Sequence, residues 1–183
     1  MDDTEILELL DTLEEISGEG EALEESEISL AFSLLAYSTP EIATRAAIFL
    51  TGLTDPAIFL RLLAIFPECS AEIQRQLAIL MACLDHVEIY VFLLDFIETA
   101  SDAILCLTIE MALANTRYPI LGLIFERLDT APPHYLRKLE RIIRSMDRHR
   151  LKTILRLYPV VPHERFLRDI LGDTFMHDVY KKK

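Results

Sequence analysis

Residues 39–66 read TPEIATRAAIFLTGLTDPAIFLRLLAIF, and this stretch decides the fold. It contains two apolar segments, and each is opened by a short polar residue followed by proline. Threonine and aspartate cap helices, and proline fits the first turn. The spacing therefore predicts one helix from Thr39 to about Leu53 and a second from Asp55 to about Pro67. Each is roughly three turns long.

The same pair of helices recurs along the chain with a period of 31 residues. Three series of aliphatic residues keep this step, with one 32-residue interval: Ile42, Ile73, Ile104 and Leu136; Ile58, Ile89, Ile120 and Leu151; Leu62, Leu93, Ile124 and Leu155. A fixed period in this range is typical of stacked helical repeats. We therefore predict an all-α, right-handed α-solenoid of about four 31-residue helical hairpins with capping helices at each end.

The predicted helix boundaries divide the chain into three parts. Residues 1–25 form an acidic N-terminal helix and a linker, in which Gly18 and Gly20 end the helix. Residues 26–172 form the helical-repeat domain, with Ser26 or Ser29 as the first cap. Its repeats are predicted at 38–68, 69–98, 99–129 and 130–159, and residues 173–183 form a basic tail.

The repeating units resemble the helical hairpins of the HEAT and armadillo superfamily. The resemblance covers about residues 38–159 and rests on the period, on the helix pairing and on a proline or aspartate at helix starts, as at Pro40, Asp55, Asp85 and Asp102. It implies a scaffold or adaptor role by analogy with that superfamily.

Residues that carry chemistry are scattered rather than clustered. The five histidines form no His-x-x-x-His or Glu-x-x-His pair, which helical metal sites use. The chain has no Gly-x-Ser-x-Gly elbow and no glycine-rich phosphate loop. Cys69, Cys83 and Cys106 have no metal spacing and are predicted to be buried thiols. We therefore expect no catalytic residue, no metal, no cofactor and no enzymatic activity.

The N-terminal sequence and the charge distribution favour a soluble, cytoplasmic protein. The chain begins with acidic residues, whereas a signal peptide begins with basic ones. The longest apolar stretches are interrupted by charged residues such as Arg61 and Asp85, so no membrane span is expected.

Charge is distributed unevenly along the chain. Residues 1–27 contain twelve acidic residues and no lysine or arginine. Residues 130–183 contain thirteen lysines and arginines against six acidic residues. A chain of net charge −12 therefore ends in a segment of net charge +7.

The basic segment contains a predicted helix with one charged stripe. Arg137, Arg141, Arg144 and Arg148 follow at i, i+4, i+7 and i+11, with Lys138 at the edge of the stripe. One interpretation is the solvated face of an ordinary amphipathic helix. The other is a docking stripe for carboxylates or phosphates, because arginine suits bidentate recognition.

Two predicted second helices, at 56–66 and 87–97, are apolar nearly all round. A helix of this kind is buried on more than one side. Neighbouring helices that enclose it are one explanation. The other is a groove along the second-helix row, which a partner or a second copy covers, with these residues exposed: Phe59, Tyr90, Phe92 and Leu121.

These features favour a non-enzymatic protein–protein interaction module, such as an adaptor, a scaffold or a regulatory subunit. The predicted partner is an acidic protein, and the predicted contact residues are Arg137, Arg141, Arg144, Arg148, Tyr90 and Phe92. One alternative is a nucleic-acid- or ribosome-associated factor that uses the basic C-terminal segment with Lys181, Lys182 and Lys183. Its disadvantage is that the negative net charge repels a polyanion. The other alternative is a homo-oligomeric structural subunit. A further hypothesis is that the acidic N-terminal segment masks the arginine stripe, in cis or on another copy.

Overall fold

Four helices begin at short polar residues of the predicted links, which are Thr39, Asp55, Ser70 and Asp102. The carboxylate of Asp55 accepts a hydrogen bond of 2.8 Å from the amide of Ala57, and that of Asp102 accepts one of 2.8 Å from the amide of Leu105. These bonds satisfy amides that have no partner within the first turn of a helix. The helix starts at Pro56 and Ala103 therefore follow from the sequence.

The computed structural model describes residues 2–19, 22–53, 55–84, 86–117 and 119–181. These residues form no strand, so the all-α prediction is confirmed. The predicted roles of Gly20, Asp85, Lys182 and Lys183 lie outside the described residues. Apart from one short 3-10 helix at Phe66–Glu68, the regular elements are twelve α-helices: α1 Asp3–Gly18, α2 Glu25–Leu34, α3 Pro40–Gly52, α4 Pro56–Ile65, α5 Ala71–Met81, α6 Val87–Thr99, α7 Ala103–Asn115, α8 Leu121–Leu128, α9 Pro133–Ser145, α10 Arg148–Leu155, α11 Glu164–Leu171 and α12 Asp173–Tyr180.

Residues 1–84 form one compact unit, in which α3 is the central helix. Helices α1, α2 and α5 all pack against α3. Helix α1 contributes Ile6, Leu10 and Leu13 to the core, so it is a packed element of this unit rather than a separate arm. Arg45 of α3 also binds α1, through Asp11 at 2.6 Å and Glu14 at 3.0 Å.

Residues 85–183 form a second compact unit, in which α9 is the central helix. Helix α9 packs against α6, α7, α8 and α11, and α12 packs against α10 and α11. The Tyr135 side chain of α9 is buried, and its hydroxyl donates a 2.9 Å hydrogen bond to the carbonyl oxygen of Leu94. Burial raises the pKa of Tyr135 well above its ordinary value, so this hydroxyl stays protonated and keeps its bond.

Most of the periodic aliphatic residues lie in the cores, and the exceptions belong to the first series. All eight members of the second and third series are buried. Of the first series, Ile42 and Ile73 are buried and Leu136 is half-buried. The series changes register at α7, where Ile104 is 66% exposed and its neighbour Leu105 is buried. The cause is the cap: Asp102 starts α7 one residue later than the 31-residue step from Ser70 requires.

Three details of the predicted helices were wrong. Helix α2 begins after Glu24, whose amide donates a 2.7 Å hydrogen bond to the Glu27 carboxylate, rather than at Ser26 or Ser29. The helix predicted to carry Arg137 through Arg148 ends at Ser145 as α9, and Asp147 caps a new helix, α10. Most of the predicted C-terminal tail is helix α12, in which Met176 and Val179 are buried.

Candidate functional site

The predicted arginine stripe is divided between two helices. Arg137, Arg141 and Arg144 lie on the exposed side of α9. Arg148 is the first residue of α10, because the Asp147 carboxylate accepts a 2.8 Å hydrogen bond from the Arg150 amide and starts a new helix there. The prediction of one continuous four-arginine stripe on a single helix is therefore wrong for Arg148.

Arg141 is held by a buried carboxylate on the neighbouring helix. Its Nε and Nη2 atoms donate hydrogen bonds of 2.6 and 2.7 Å to the two carboxylate oxygens of Glu110 on α7. The Glu110 side chain is 3% exposed, whereas the Arg141 side chain is 51% exposed. The bond to Glu110 raises the pKa of the Arg141 guanidinium above its ordinary value. Arg141 therefore has a structural role as well as an exposed edge.

The other arginines differ in how strongly the protein binds them. Arg144 forms an i,i+4 ion pair of 2.7 Å with Glu140 on its own helix. The guanidinium of Arg148 lies 5.2 Å from the ring centroid of Phe175 on α12. Arg137 forms no ion pair with another described residue and is exposed. Among the three arginines of α9, Arg137 is the one that forms no ion pair with a carboxylate of the described residues.

Lys138 does not extend this surface. Its Nζ atom donates hydrogen bonds to the carbonyl oxygens of Ile97 and Ala100, at the C-terminal end of α6. A lysine ammonium there satisfies carbonyls that have no partner within the helix. Lys138 thus joins α9 to α6.

The predicted groove on the second helices is wrong. Phe59, Tyr90 and Leu121 are buried. Tyr90 is 1% exposed, and its hydroxyl accepts a 2.8 Å hydrogen bond from the Thr116 hydroxyl. These residues are enclosed by their own neighbours, which is the other explanation that the apolar helices allowed.

Phe92 is the exception among the four groove residues. It is half-buried on α6, and its ring lies 6.0 Å from that of Phe96 at an interplanar angle of 29°. Of the four groove residues, Phe92 is the one that solvent partly reaches, and its contact with a partner stays a prediction.

An exposed apolar stripe lies instead on α7, the first helix of the hairpin predicted at 99–129. Its members Ile104, Leu107 and Met111 are 66%, 51% and 54% exposed, at positions i, i+3 and i+7. Residues at this spacing lie one above another on a helix face. The sequence pattern does not indicate this stripe, because Ile104 belongs to a periodic aliphatic series that predicts burial.

No described residues form a group of three or more histidines, cysteines, aspartates or glutamates that could hold a metal ion. The buried polar side chains all have internal partners, as Gln74 does with the carbonyl oxygens of Phe66 and Pro67. None of the helices in the described ranges is long and apolar enough to cross a membrane.

The three cysteines differ in exposure. Cys106 is buried, Cys69 is half-buried and Cys83 is exposed. The prediction of buried thiols is therefore wrong for Cys83, which lies just after the end of α5.

We compared the chain with protein-family models, with curated proteins and with solved structures, and none of them matches it. The resemblance to HEAT and armadillo repeats therefore stays a prediction from period and helix pairing.

Proposed function

We propose that this chain is a non-enzymatic protein–protein interaction module, an adaptor, scaffold or regulatory subunit, built as a right-handed α-solenoid. Within each compact unit the first helices of successive hairpins pack on each other, α3 on α5 and α7 on α9. This packing supports the solenoid and the relation to HEAT-like repeats. Repeat arrays of this kind offer extended surfaces that bind other macromolecules.

The observation that carries the proposal is the surface of the second unit where α7 and α9 meet. It combines exposed arginines with an exposed apolar stripe that includes Met111. Interfaces are enriched in arginine and methionine, and their buried centre is more apolar than the rest of the surface. The arginines favour an acidic protein as the partner, because a guanidinium binds carboxylates in a bidentate manner.

The thiol chemistry supports a cytoplasmic location. All three cysteines are free, including the exposed Cys83. Free thiols at the surface persist in a reducing compartment.

The proposal is tested by affinity capture from a lysate of the native cells, with and without nuclease, read by mass spectrometry. The informative variant is Arg137→Glu, because Arg137 has no structural partner among the described residues. The matched control is Arg165→Glu, an exposed arginine of α11 that also forms no ion pair with another described residue. Both variants change the net charge equally, and neither removes the buried Arg141–Glu110 pair.

A protein that is captured with nuclease present, is retained by Arg165→Glu and is lost by Arg137→Glu supports the proposal. Partners that disappear with nuclease contradict it and favour the nucleic-acid alternative. A partner set that neither substitution changes contradicts the assignment to α9. Capture of the chain alone, together with a stable dimer in sedimentation, favours the homo-oligomeric subunit.

A further inference from the structure

The apolar stripe of α7, formed by Ile104, Leu107 and Met111, has the dimensions of a helix-binding surface. Its seven-residue span corresponds to about 10 Å along the helix axis. A partner helix that packs by ridges into grooves presents its own apolar residues at i, i+3 or i+4 and i+7 over the same length. All three side chains are at least half exposed.

Helices α7 and α9 run side by side in the same direction. Lys138 of α9 meets Cys106 of α7 at 3.4 Å, and Arg141 meets Glu110 at 2.6 Å. From the first contact to the second, the residue number increases on both helices, which means that the helices are parallel. The exposed arginines of α9 therefore lie along the same length of the surface as the apolar stripe.

The arginines border the stripe on one side. Leu107 lies one turn before Glu110 on α7, so it is the stripe residue next to the carboxylate that Arg141 binds. Arg137 and Arg144 lie one turn before and after Arg141 on the exposed side of α9. The surface thus has an apolar line with a cationic margin.

We propose that this surface binds an amphipathic α-helix of a partner protein, with apolar anchors on Ile104, Leu107 and Met111 and an acidic edge facing the arginines of α9. This inference rests on the proposed function and names the chemistry of the partner. Charge complementarity selects the acidic edge, since carboxylates are the groups that arginines at a margin pair with. The exposed methyl and thioether groups select apolar anchors, which a nucleic-acid backbone does not supply.

The acidic helices of a second copy do not supply such anchors. The apolar face of α1 is buried through Ile6, Leu10 and Leu13, and that of α2 through Ala31, Phe32 and Leu34. A folded second copy therefore presents the acidic side of these helices and not their apolar side. A helix from another protein can supply both the apolar anchors for the α7 stripe and the carboxylates for the arginines of α9.

The test is selection of a displayed library of helix-forming peptides against the full-length chain. The selected peptides should carry apolar residues at i, i+3 or i+4 and i+7, with an excess of Asp and Glu beside them. One selected peptide is then synthesised with a fluorescent label, and its dissociation constant is measured by anisotropy at low and at high salt.

Substitutions on the surface locate the bound peptide. We expect Leu107→Ser to weaken binding roughly tenfold at either salt concentration. Arg137→Gln should weaken it several-fold at low salt and less at high salt, because salt screens exposed charges. The matched control is Leu60→Ser, which removes a leucine of similar exposure from α4, and it should bind like the unmodified chain. A circular dichroism melt of each variant establishes that it is folded.

Three results overturn the inference. The first is selection of peptides that are basic or lack the apolar spacing, or of none at all. The second is binding that Leu107→Ser and Leu60→Ser affect equally. The third is a dimer of the chain that Leu107→Ser dissociates. If peptide binding requires Arg137 but not Leu107, the inference fails and the proposed function stands. If the lysate capture yields no protein whose binding depends on Arg137, the proposed function fails on its own.

Discussion

The buried carboxylate of Glu110 is bound through both of its oxygens by Arg141, one hairpin further along the chain. A charged group taken out of water is stable only if it is paired and hydrogen-bonded. Arg141 therefore fixes the register of α9 on α7, and it holds together the two helices that form the candidate surface.

Arg141→Ala should lower the free energy of unfolding by about 2–3 kcal/mol, because it leaves Glu110 buried without its partner. Arg137→Ala should change it by less than about 0.5 kcal/mol, since an exposed residue without partners contributes little. Urea unfolding followed by circular dichroism measures both. The double variant Glu110→Leu/Arg141→Leu should recover most of the loss, and equal effects of the two single arginine substitutions would contradict the structural role of Arg141.

Tyr90→Phe should lower stability by about 1 kcal/mol, because it removes the buried hydrogen bond from Thr116. It should leave partner binding unchanged, since Tyr90 is enclosed within its own unit. The measurements are a thermal melt and the peptide anisotropy titration. Loss of binding by a variant that remains folded would restore Tyr90 to the contact residues.

Leu10→Ala should destabilise the first unit by about 2–5 kcal/mol, the usual cost of a cavity left by a core leucine. Glu15→Ala, on the exposed side of α1, is the matched control and should have little effect. Chemical unfolding distinguishes the two.

Deletion of residues 1–25 would uncover the same core, so the masking hypothesis is better tested with Glu8→Gln and Glu15→Gln, which keep α1 intact. Stronger partner binding at low salt would support it.

Stability of the C-terminal helices should fall in acid. Arg168 and the Tyr180 hydroxyl donate hydrogen bonds to Glu164 and lower the pKa of that carboxyl. Because the pKa is lower in the folded state, the contribution is present above the unfolded value of about 4.3 and is lost as pH falls through the folded value. Glu164→Gln should therefore lower the urea midpoint at pH 7, and the difference should close in stronger acid. Asp169→Asn, an exposed control on the same helix, should show no such dependence, and a pH-independent deficit in Glu164→Gln would contradict the ion pair.

The three thiols should react with a disulfide reagent in a fixed order. Cys83 is exposed and should react first, whereas burial raises the pKa of the Cys69 thiol and should slow its reaction. Cys106 is buried and should react only on unfolding. Stopped-flow absorbance with Cys83→Ser as reference assigns the first phase. A fast phase that survives this substitution would contradict the order.

The sequence is informative about the helices and their cores because both depend on local chemistry. Asp55 and Ser70 cap helices because an apolar segment follows each of them. Leu62 and Leu93 are buried because their spacing keeps them on the core face of their helices. Ile104 shows the limit of this reasoning. It stands beside Leu105, another aliphatic residue, and a one-residue change in where the helix starts decides which of the two is buried.

The candidate surface was harder to predict because it depends on contacts between hairpins. Tyr90 lies in a helix that is apolar on nearly every side, so the pattern could not distinguish burial from exposure. Arg141 had a readable signal: Glu110 is the one charged residue of α7, and it lies 31 residues earlier. A lone carboxylate in an apolar helix requires a cation, and the period indicates where that cation stands.

Among the described residues, four arginines bind an acidic residue that lies 31 to 36 residues earlier in the chain. Arg45 binds Asp11 and Glu14, Arg61 binds Glu25, Arg127 binds Asp95, and Arg141 binds Glu110. A ribosome therefore releases each of these carboxylates before the arginine that binds it. These four pairs can then form in the order of synthesis, each when its later helix docks on the earlier one within the same unit.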